Sequence, residues 1–258
     1  QGGGRAGVLI AGKADKIRFE DVSMRCLYPT KTQAEVLCIR NKSDNATAFV
    51  RCRFYSQQDT LLPGGGYNWF YDCYVEGDTD FIWGGNSACL FERCEVEMIT
   101  SGGRGFNARV KANNIGYVFS ECILTVAEGV TKCRLLEGSD GTGMVDNITF
   151  VNTTIDKEFF SGGINSEDKS MVPIAGYDDN IIRYNKNKDE IGELGEDTGI
   201  KDGCKMYDCT YDDGKPVQES GVYGADRIHT LTLEEYNRYF KDRSTVLGGY
   251  ADTTWFTE

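Results

Sequence analysis

The stretch of sequence that decides the fold runs from Phe49 to Gly85 and reads F-V-R-C-R-F-Y-S-Q-Q-D-T-L-L-P-G-G-G-Y-N-W-F-Y-D-C-Y-V-E-G-D-T-D-F-I-W-G-G. The pattern Phe-x-x-Cys occurs twice in it, at Phe49 and at Phe70, 21 residues apart. An aspartate stands ten residues after each phenylalanine, at Asp59 and Asp80. If each copy is one turn of a coil, the two carboxylates occupy the same place on adjacent coils, where parallel strands lie about 4.8 Å apart.

The same short segment recurs six times along the chain. The copies are I-R-F-E-D-V-S (17–23), A-F-V-R-C-R-F (48–54), W-F-Y-D-C-Y-V (69–75), L-F-E-R-C-E-V (90–96), V-F-S-E-C-I-L (118–124) and I-T-F-V-N-T-T (148–154). Their alternating apolar and polar residues predict strands, and steps of 21 to 31 residues are too short for a strand-helix-strand unit. The repeat therefore predicts an all-β parallel β-helix with phenylalanines stacked inside; an antiparallel sandwich is the alternative.

The predicted domain organisation is a single β-helix domain over residues 1–258, with coils over about 7–160 and a polar, acidic excursion over about 161–203. A strand, a helix and a tail follow over 204–258. The helix is predicted to begin at Thr232, with Glu235 completing a capping box and Tyr236, Tyr239 and Phe240 docking on the coil. The tail with Trp255 and Phe256 is expected to pack back as well. Residues 1–10 are too few and too glycine-rich to cover the first coil, so we expect an N-terminal cap to be missing or supplied by a partner.

Composition excludes several functions. A net charge of −12 argues against binding nucleic acid, and no apolar run is long enough to span a membrane. No signal peptide is visible in this sequence. The ten cysteines are spread over 258 residues, and four of them share one repeat position, so we expect mostly free, buried thiols. We expect no metal and no cofactor. The single histidine, His229, is predicted to be a surface residue, which leaves hydrolysis to carboxylates.

Two aspartates on adjacent coils form a chemically useful pair. They cannot comfortably both ionise, so one pKa should rise while the other stays low. The ionised group can act as a nucleophile and the protonated one as a general acid. Asp78, in the same turn, is better read as a residue that caps the backbone.

The motifs Gln58-Asp59-Thr60 and D-T-D-F-I-W-G (78–84) resemble those of the pectin methylesterases, and T-Q-A (32–34) is similar to a third motif of that family. The likeness runs over about residues 7–156. It implies a right-handed parallel β-helix with a C-terminal helix packed on the coil, which removes methyl esters from galacturonan. It also implies that Asp80 is the nucleophile, that Asp59 is the general acid and base, and that the amides of Gln33 and Gln58 stabilise the oxyanion.

The resemblance also assigns a sugar-binding surface and a cation. Four aromatic residues are the candidates for binding substrate: Trp83, Phe81, Tyr67 and Trp69. The family arginine lies in a motif L-G-R-P-W that this chain lacks, and Arg134 is the nearest candidate to replace it. Arg109 and Lys111 are the fallback cations. Leu62 stands where the family has a tyrosine.

The expected partner is a pectic polysaccharide, and the protein is expected to be a monomer that is secreted or held at the cell surface. Two alternatives remain open at this point. One is a glycosidase that uses the same carboxylate pair, although neighbouring glutamines suit an oxyanion better than an oxocarbenium ion. The other is a non-catalytic carbohydrate-binding β-helix that has lost the arginine.

Overall fold

The structure is a computed structural model that describes residues 6–27, 33–42, 44–111, 114–136, 144–145, 147–162, 203–217 and 228–250. Most of the secondary structure consists of strands of three parallel sheets, and the chain visits the sheets in turn on successive coils. The predicted parallel β-helix is therefore confirmed, and the antiparallel sandwich is wrong. Most of the predicted excursion and the tail with Trp255 and Phe256 lie outside the described residues.

Strands are numbered in chain order. Sheet A contains β1 (Val8–Gly12), β4 (Leu37–Asn41), β7 (Leu61–Gly64), β10 (Thr79–Gly84), β13 (Arg104–Ala108) and β17 (Arg134–Leu136). Sheet B contains β2 (Ile17–Glu20), β5 (Ala46–Val50), β8 (Tyr67–Tyr71), β11 (Ala88–Glu92), β15 (Gly116–Ser120), β19 (Ile148–Val151), β21 (Cys204–Tyr207) and β23 (His229–Thr230). Sheet C contains β3 (Ser23–Arg25), β6 (Arg53–Tyr55), β9 (Tyr74–Gly77), β12 (Glu95–Met98), β16 (Ile123–Val126), β20 (Thr154–Ile155) and β22 (Thr210–Tyr211).

Five short elements lie beside the sheets. They are an antiparallel pair formed by β14 (Val110–Lys111) and β18 (Met144–Val145), a 3-10 helix at Lys157–Phe160, the helices α1 (Leu233–Tyr239) and α2 (Arg243–Leu247), and a 3-10 turn at Gly248–Tyr250. As predicted, Thr232 caps α1 and forms a capping box with Glu235. His229 is half-buried rather than fully exposed: it lies in β23, its side chain is 22% exposed, and its Nε2 is 3.1 Å from Glu235.

A column of phenylalanines fills the centre of the coil. Phe19, Phe49, Phe70, Phe91, Phe119 and Phe150 stack on one another with ring centroids 4.6 to 5.3 Å apart. This spacing equals the distance between parallel strands, so each coil adds one ring to the column. Each of the six repeated segments is divided between a strand of sheet B and a strand of sheet C, so the prediction of one strand per segment is wrong, whereas their common register is confirmed.

The cysteine of the repeat has a definite role. The Sγ of Cys73 donates to the carbonyl of Phe49 on the preceding coil at 3.4 Å, and Cys94 does the same to Phe70 at 3.3 Å. Thr153 takes the cysteine position on a later coil, where its hydroxyl donates to the carbonyl of Phe119 at 3.1 Å. A small side chain with one weak donor fits this place between coils. All ten cysteines are free and nine are buried, as predicted, and burial raises the pKa of the Cys94 thiol well above its usual value.

Each coil turns from sheet B to sheet C through one exposed residue with a left-handed backbone. These residues are Asp21, Arg51, Asp72, Arg93, Glu121, Asn152 and Asp208, with φ between 49° and 55°. Each directly precedes the cysteine position of its coil, which is occupied by Val22 on the first coil and by Thr153 on a later one. Their charges alternate in sign from Asp21 to Glu121, and Arg51 is bonded to Asp21 through Nε at 2.8 Å.

The C-terminal helices cover the outer face of sheet B. Phe240, Val246 and Leu247 are buried against that sheet. Arg243 of α2 binds Glu92 of β11, with Nε to Oε2 at 2.9 Å, and its guanidinium lies 4.1 Å from the ring of Trp69. The indole of Trp69 donates to the same carboxylate at 2.8 Å. The predicted docking of the helix on the coil is therefore confirmed.

The phenylalanine column predicts a large cost for shortening one of its members. Replacing Phe91 by alanine should lower the free energy of unfolding by about 3–5 kcal/mol, because a fully buried ring leaves a cavity between two neighbours. Urea denaturation followed by fluorescence measures this loss. In the control variant Ile123→Ala, where the side chain is 51% exposed, the change should stay below about 1 kcal/mol. Equal losses in the two variants would contradict the role of the column.

Two carboxylates on the outer face of sheet C predict a pH dependence of stability. Glu76 and Glu97 are register partners on adjacent coils, and the Tyr74 hydroxyl contacts both, at 3.0 Å in the case of Glu76. Burial raises the pKa of Glu76 in the folded protein. The contribution of Glu76 to the free energy of unfolding is therefore fully present below the pKa that its carboxyl group has in the unfolded chain. This contribution is lost as the pH rises through the pKa of the same group in the folded protein.

The variant Glu76→Gln removes this titration without removing the side chain. We expect the free energy of unfolding of the wild type to decrease more, between pH 4.5 and pH 7, than that of the variant, because other groups titrate equally in both. Chemical denaturation at several pH values gives the two curves. Parallel curves over that range would show that Glu76 is not coupled to folding.

Candidate active site

Asp59 and Asp80 occupy equivalent positions on adjacent coils of sheet A. Leu61 of β7 pairs with Ile82 of β10, so the two aspartates, each two residues earlier, lie side by side. The amide of Asp59 donates to the carbonyl of Thr79 at 3.0 Å, which closes this step of the ladder. Both aspartates have a left-handed backbone, with φ of 63° and 48°. Asp and Asn tolerate that conformation better than most residues, because a short polar side chain can bond locally.

The two carboxyl groups have different surroundings. Asp59 is 4% exposed, whereas Asp80 is half-buried and faces β13 on the next coil. There Asn107, fully buried, donates from Nδ2 to Oδ2 of Asp80 at 3.2 Å. A hydrogen bond to a carboxylate oxygen favours its ionised form, whereas burial favours the neutral form.

Sequence reasoning missed Asn107. The chain bulges between Thr79 and Ile82, where β10 pairs with β13, so the 21-residue step that relates Asp59 to Asp80 does not extend to the next coil. One feature of the sequence could have indicated Asn107. It follows the apolar Phe106 as Trp83 follows the apolar Ile82, and the alternation of side chains along a strand places Asn107 and Trp83 on the outer face. The structure pairs Trp83 with Asn107 accordingly.

The two glutamines lie on the same side of the pair along the coil. The amide of Ala34 donates to the carbonyl of Gln58 at 3.2 Å, which places Gln33 on the coil before Gln58. Gln58 is half-buried and Gln33 is exposed. The two glutamines are thus neighbours on adjacent coils, each one residue before the position that Asp59 occupies on its coil.

The candidate cations are in different places. Arg109 follows β13, donates from Nε to Oδ1 of Asn107 at 3.4 Å, and lies with its guanidinium 5.2 Å from the ring of Trp83. Arg134 lies in β17, one strand further from the pair, and its Nε donates to the carbonyl of Gly162 at 3.3 Å. Lys111 is exposed at the end of β14.

The four predicted sugar-binding aromatics separate. Trp83 is half-buried on the outer face of sheet A beside the aspartates. Phe81 is fully buried and packs on Phe106, so its assignment as a substrate-binding residue is wrong. Trp69 is also fully buried, under α2 on sheet B, and its assignment is wrong for the same reason. Tyr67 stacks on Tyr250 at 4.0 Å on sheet B, a different face from the pair.

Within the described part of the chain, no three His, Cys, Asp or Glu side chains converge in a way that could hold a metal ion. The described helices are all too short to cross a membrane.

Known proteins are similar to this chain both in the sequence of the segment that contains the site and in fold. The pectinesterase family model matches residues 8–133, just under half of the chain and the part that contains both aspartates. The resemblance to the pectinesterases is confirmed over that segment. Pectinesterase 31 of Arabidopsis thaliana is 33% identical to this chain over 47% of its length. The match spans 37% of the length of that relative.

Solved pectinesterase structures share the fold. Pectin methylesterase from carrot superimposes with a TM-score of 0.67 and 16% identity, covering 98% of this chain and 72% of the other. A pectin methylesterase in complex with a hexasaccharide gives a TM-score of 0.62 and 18% identity, with coverage of 97% and 74%. At this level of identity the likeness concerns the fold alone, and the roles of individual residues depend on the site itself.

Proposed function

We propose that the protein hydrolyses methyl esters of galacturonate residues in pectin or a related uronic-acid glycan, as a carboxylic ester hydrolase. The observation that carries this proposal is the placement of Asp59 and Asp80 at equivalent positions of adjacent coils, one buried and one facing Asn107. The family match over residues 8–133 supports the same reaction class.

In the first half of the reaction, the Asp80 carboxylate attacks the ester carbonyl carbon. The negative charge moves to the carbonyl oxygen, where the side-chain amides of Gln58 and Gln33 donate hydrogen bonds. The carbon–methoxy bond then breaks, and protonated Asp59 gives its proton to the leaving oxygen, so methanol departs. An acid anhydride between Asp80 and the galacturonate carboxyl group remains.

In the second half, Asp59 is ionised and removes a proton from a water molecule. The resulting hydroxide attacks the anhydride, and the bond to Asp80 breaks. The products are an ionised Asp80, a protonated Asp59 and a galacturonic acid carboxyl group, which then loses its proton to water, so the enzyme returns to its starting state. No cofactor is needed to balance these steps.

The outer face of sheet A is the proposed binding surface for the polysaccharide, with Trp83 as a stacking platform for a sugar ring. A neighbour of the same fold has been solved with a hexasaccharide, which supports an oligosaccharide as the ligand here. A pectic substrate places the protein outside the cell, and we propose that it acts there as a monomer.

The decisive test replaces the nucleophile. Asp80→Asn should lower methanol release from esterified pectin by at least about a thousandfold, because an amide cannot form the anhydride. Asparagine tolerates a φ of 48°, so the fold should remain intact. Methanol is measured enzymatically, and circular dichroism checks the fold.

Asp72→Asn is the matched control. Asp72 has nearly the same backbone conformation, with φ of 51°, but it lies at the turn between sheets B and C, away from the pair. This variant should keep the wild-type rate. If Asp80→Asn retained turnover, the nucleophile assignment would be wrong. If the wild type bound pectin without releasing methanol, the protein would be a carbohydrate-binding β-helix instead.

The role of Trp83 has its own test. Trp83→Ala should raise KM for esterified pectin roughly twofold to tenfold, since a stacked ring contributes about 0.5–1.5 kcal/mol. Tyr67→Ala, which removes an aromatic ring from sheet B, should leave KM unchanged. An equal rise in KM in both variants would place the binding surface elsewhere.

A further inference from the structure

The geometry points to Asn107 and Arg109 as positioning residues for Asp80, with Arg109 in the role that the family gives to the arginine of its missing motif. The inference rests on the proposed function, because it concerns the same nucleophile. It differs from the sequence prediction, which assigned that role to Arg134. Three contacts connect Asp80, Asn107, Arg109 and the strand of the nucleophile.

The first contact joins Asn107 to the nucleophile. Asn107 is fully buried, and its Nδ2 donates to Oδ2 of Asp80 at 3.2 Å. A buried amide must have its polar atoms bonded, so its orientation is fixed by its partners. Because Asn107 belongs to β13 and is paired with Trp83, its backbone is also held in register with the strand that carries Asp80.

The second contact determines which way the amide points. Nε of Arg109 donates to Oδ1 of Asn107 at 3.4 Å, and an arginine nitrogen can only donate. The amide oxygen therefore faces Arg109 and the amide NH2 group faces Asp80. A cation beside the oxygen polarises the amide and strengthens the hydrogen bond that its nitrogen gives to the carboxylate.

The third contact holds Arg109 itself in place. Its guanidinium lies 5.2 Å from the ring of Trp83, and its main-chain amide donates to the carbonyl of Gly84 at 3.0 Å. Both partners belong to β10, the strand of the nucleophile. Both the side chain and the backbone of Arg109 therefore contact β10, the strand that carries Asp80.

Two other arginines lie on strands close to the strand of the nucleophile. Arg134 lies on β17, with β13 between it and β10, and its Nε is bonded to the carbonyl of Gly162 at 3.3 Å. Arg104 also lies on β13, but at the level of Thr79, and its amide is bonded to the carbonyl of Asp78 at 2.7 Å. Both belong in the experiment as comparison variants.

The test measures the titration of Asp80 directly. Carboxyl carbons of 13C-labelled aspartate are followed by NMR against pH, and Asp80→Asn assigns the signal. We expect Arg109→Gln and Asn107→Ala to move the Asp80 titration to higher pH, because each removes a group that favours the ionised form. Arg109→Lys should restore most of the wild-type titration, since it keeps the charge.

Turnover provides the second readout. Arg109→Gln and Asn107→Ala should each lower kcat roughly tenfold to a hundredfold, and the acidic limb of the pH profile should move to higher pH. The double variant should cost about as much as either single one, because the residues act as a unit. Asn147→Ala, which removes another fully buried asparagine, controls for lost stability. This variant should change neither kcat nor the acidic limb of the pH profile.

The outcomes separate the two proposals. If the wild type releases no methanol, the proposed function fails, but the NMR titration still decides whether Arg109 and Asn107 control Asp80. An Asp80 titration that is unchanged in Arg109→Gln, or that moves only in Arg134→Gln or Arg104→Gln, would overturn the inference. Arg109 is half-buried, so its variants remain informative even if Asn107→Ala does not fold.

Discussion

The contact on which the rest of the structure depends is the stacking of one coil on the next at a fixed register. Phenylalanine rings 4.6 to 5.3 Å apart and thiol or hydroxyl hydrogen bonds to the preceding coil hold that register from Phe19 to Phe150. Because side chains alternate between faces, a slip of one residue would move the rings to the outside. The same register brings Asp59 and Asp80 side by side on another sheet.

The site therefore results from two features: the repeated register of the coils, and local irregularities in that repeat. Equivalent positions give two aspartates with the same left-handed backbone, and repetition alone would give them equal surroundings. The bulge between Thr79 and Ile82 breaks the equivalence, and Asn107 donates a hydrogen bond to Asp80, the second of the two. A pair with different roles needs this kind of asymmetry.

Sequence alone predicted what the repeat encodes: the common register of the coils, the phenylalanine column, the free cysteines and the pairing of Asp59 with Asp80. It failed where partners come from distant segments. Trp69 resembles an exposed aromatic residue until α2, more than 150 residues later, covers it. Phe81 was misassigned because its strand bulges, and Asn107 was missed because no repeat marks it. The assignment of Arg134 stays a prediction, since its described side-chain contact is with Gly162.

The exposed residues at the turn between sheets B and C have a consequence for folding fidelity. Their signs run negative, positive, negative, positive, negative from Asp21 to Glu121. If the coil that carries Asp72 were omitted during assembly, Arg51 would lie opposite Arg93. If the coil that carries Arg93 were omitted, Asp72 would lie opposite Glu121. Like charges directly opposite are destabilising, whereas correct neighbours attract. The surface charge of this corner thus discriminates against wrongly assembled solenoids, although every coil presents nearly the same apolar interior.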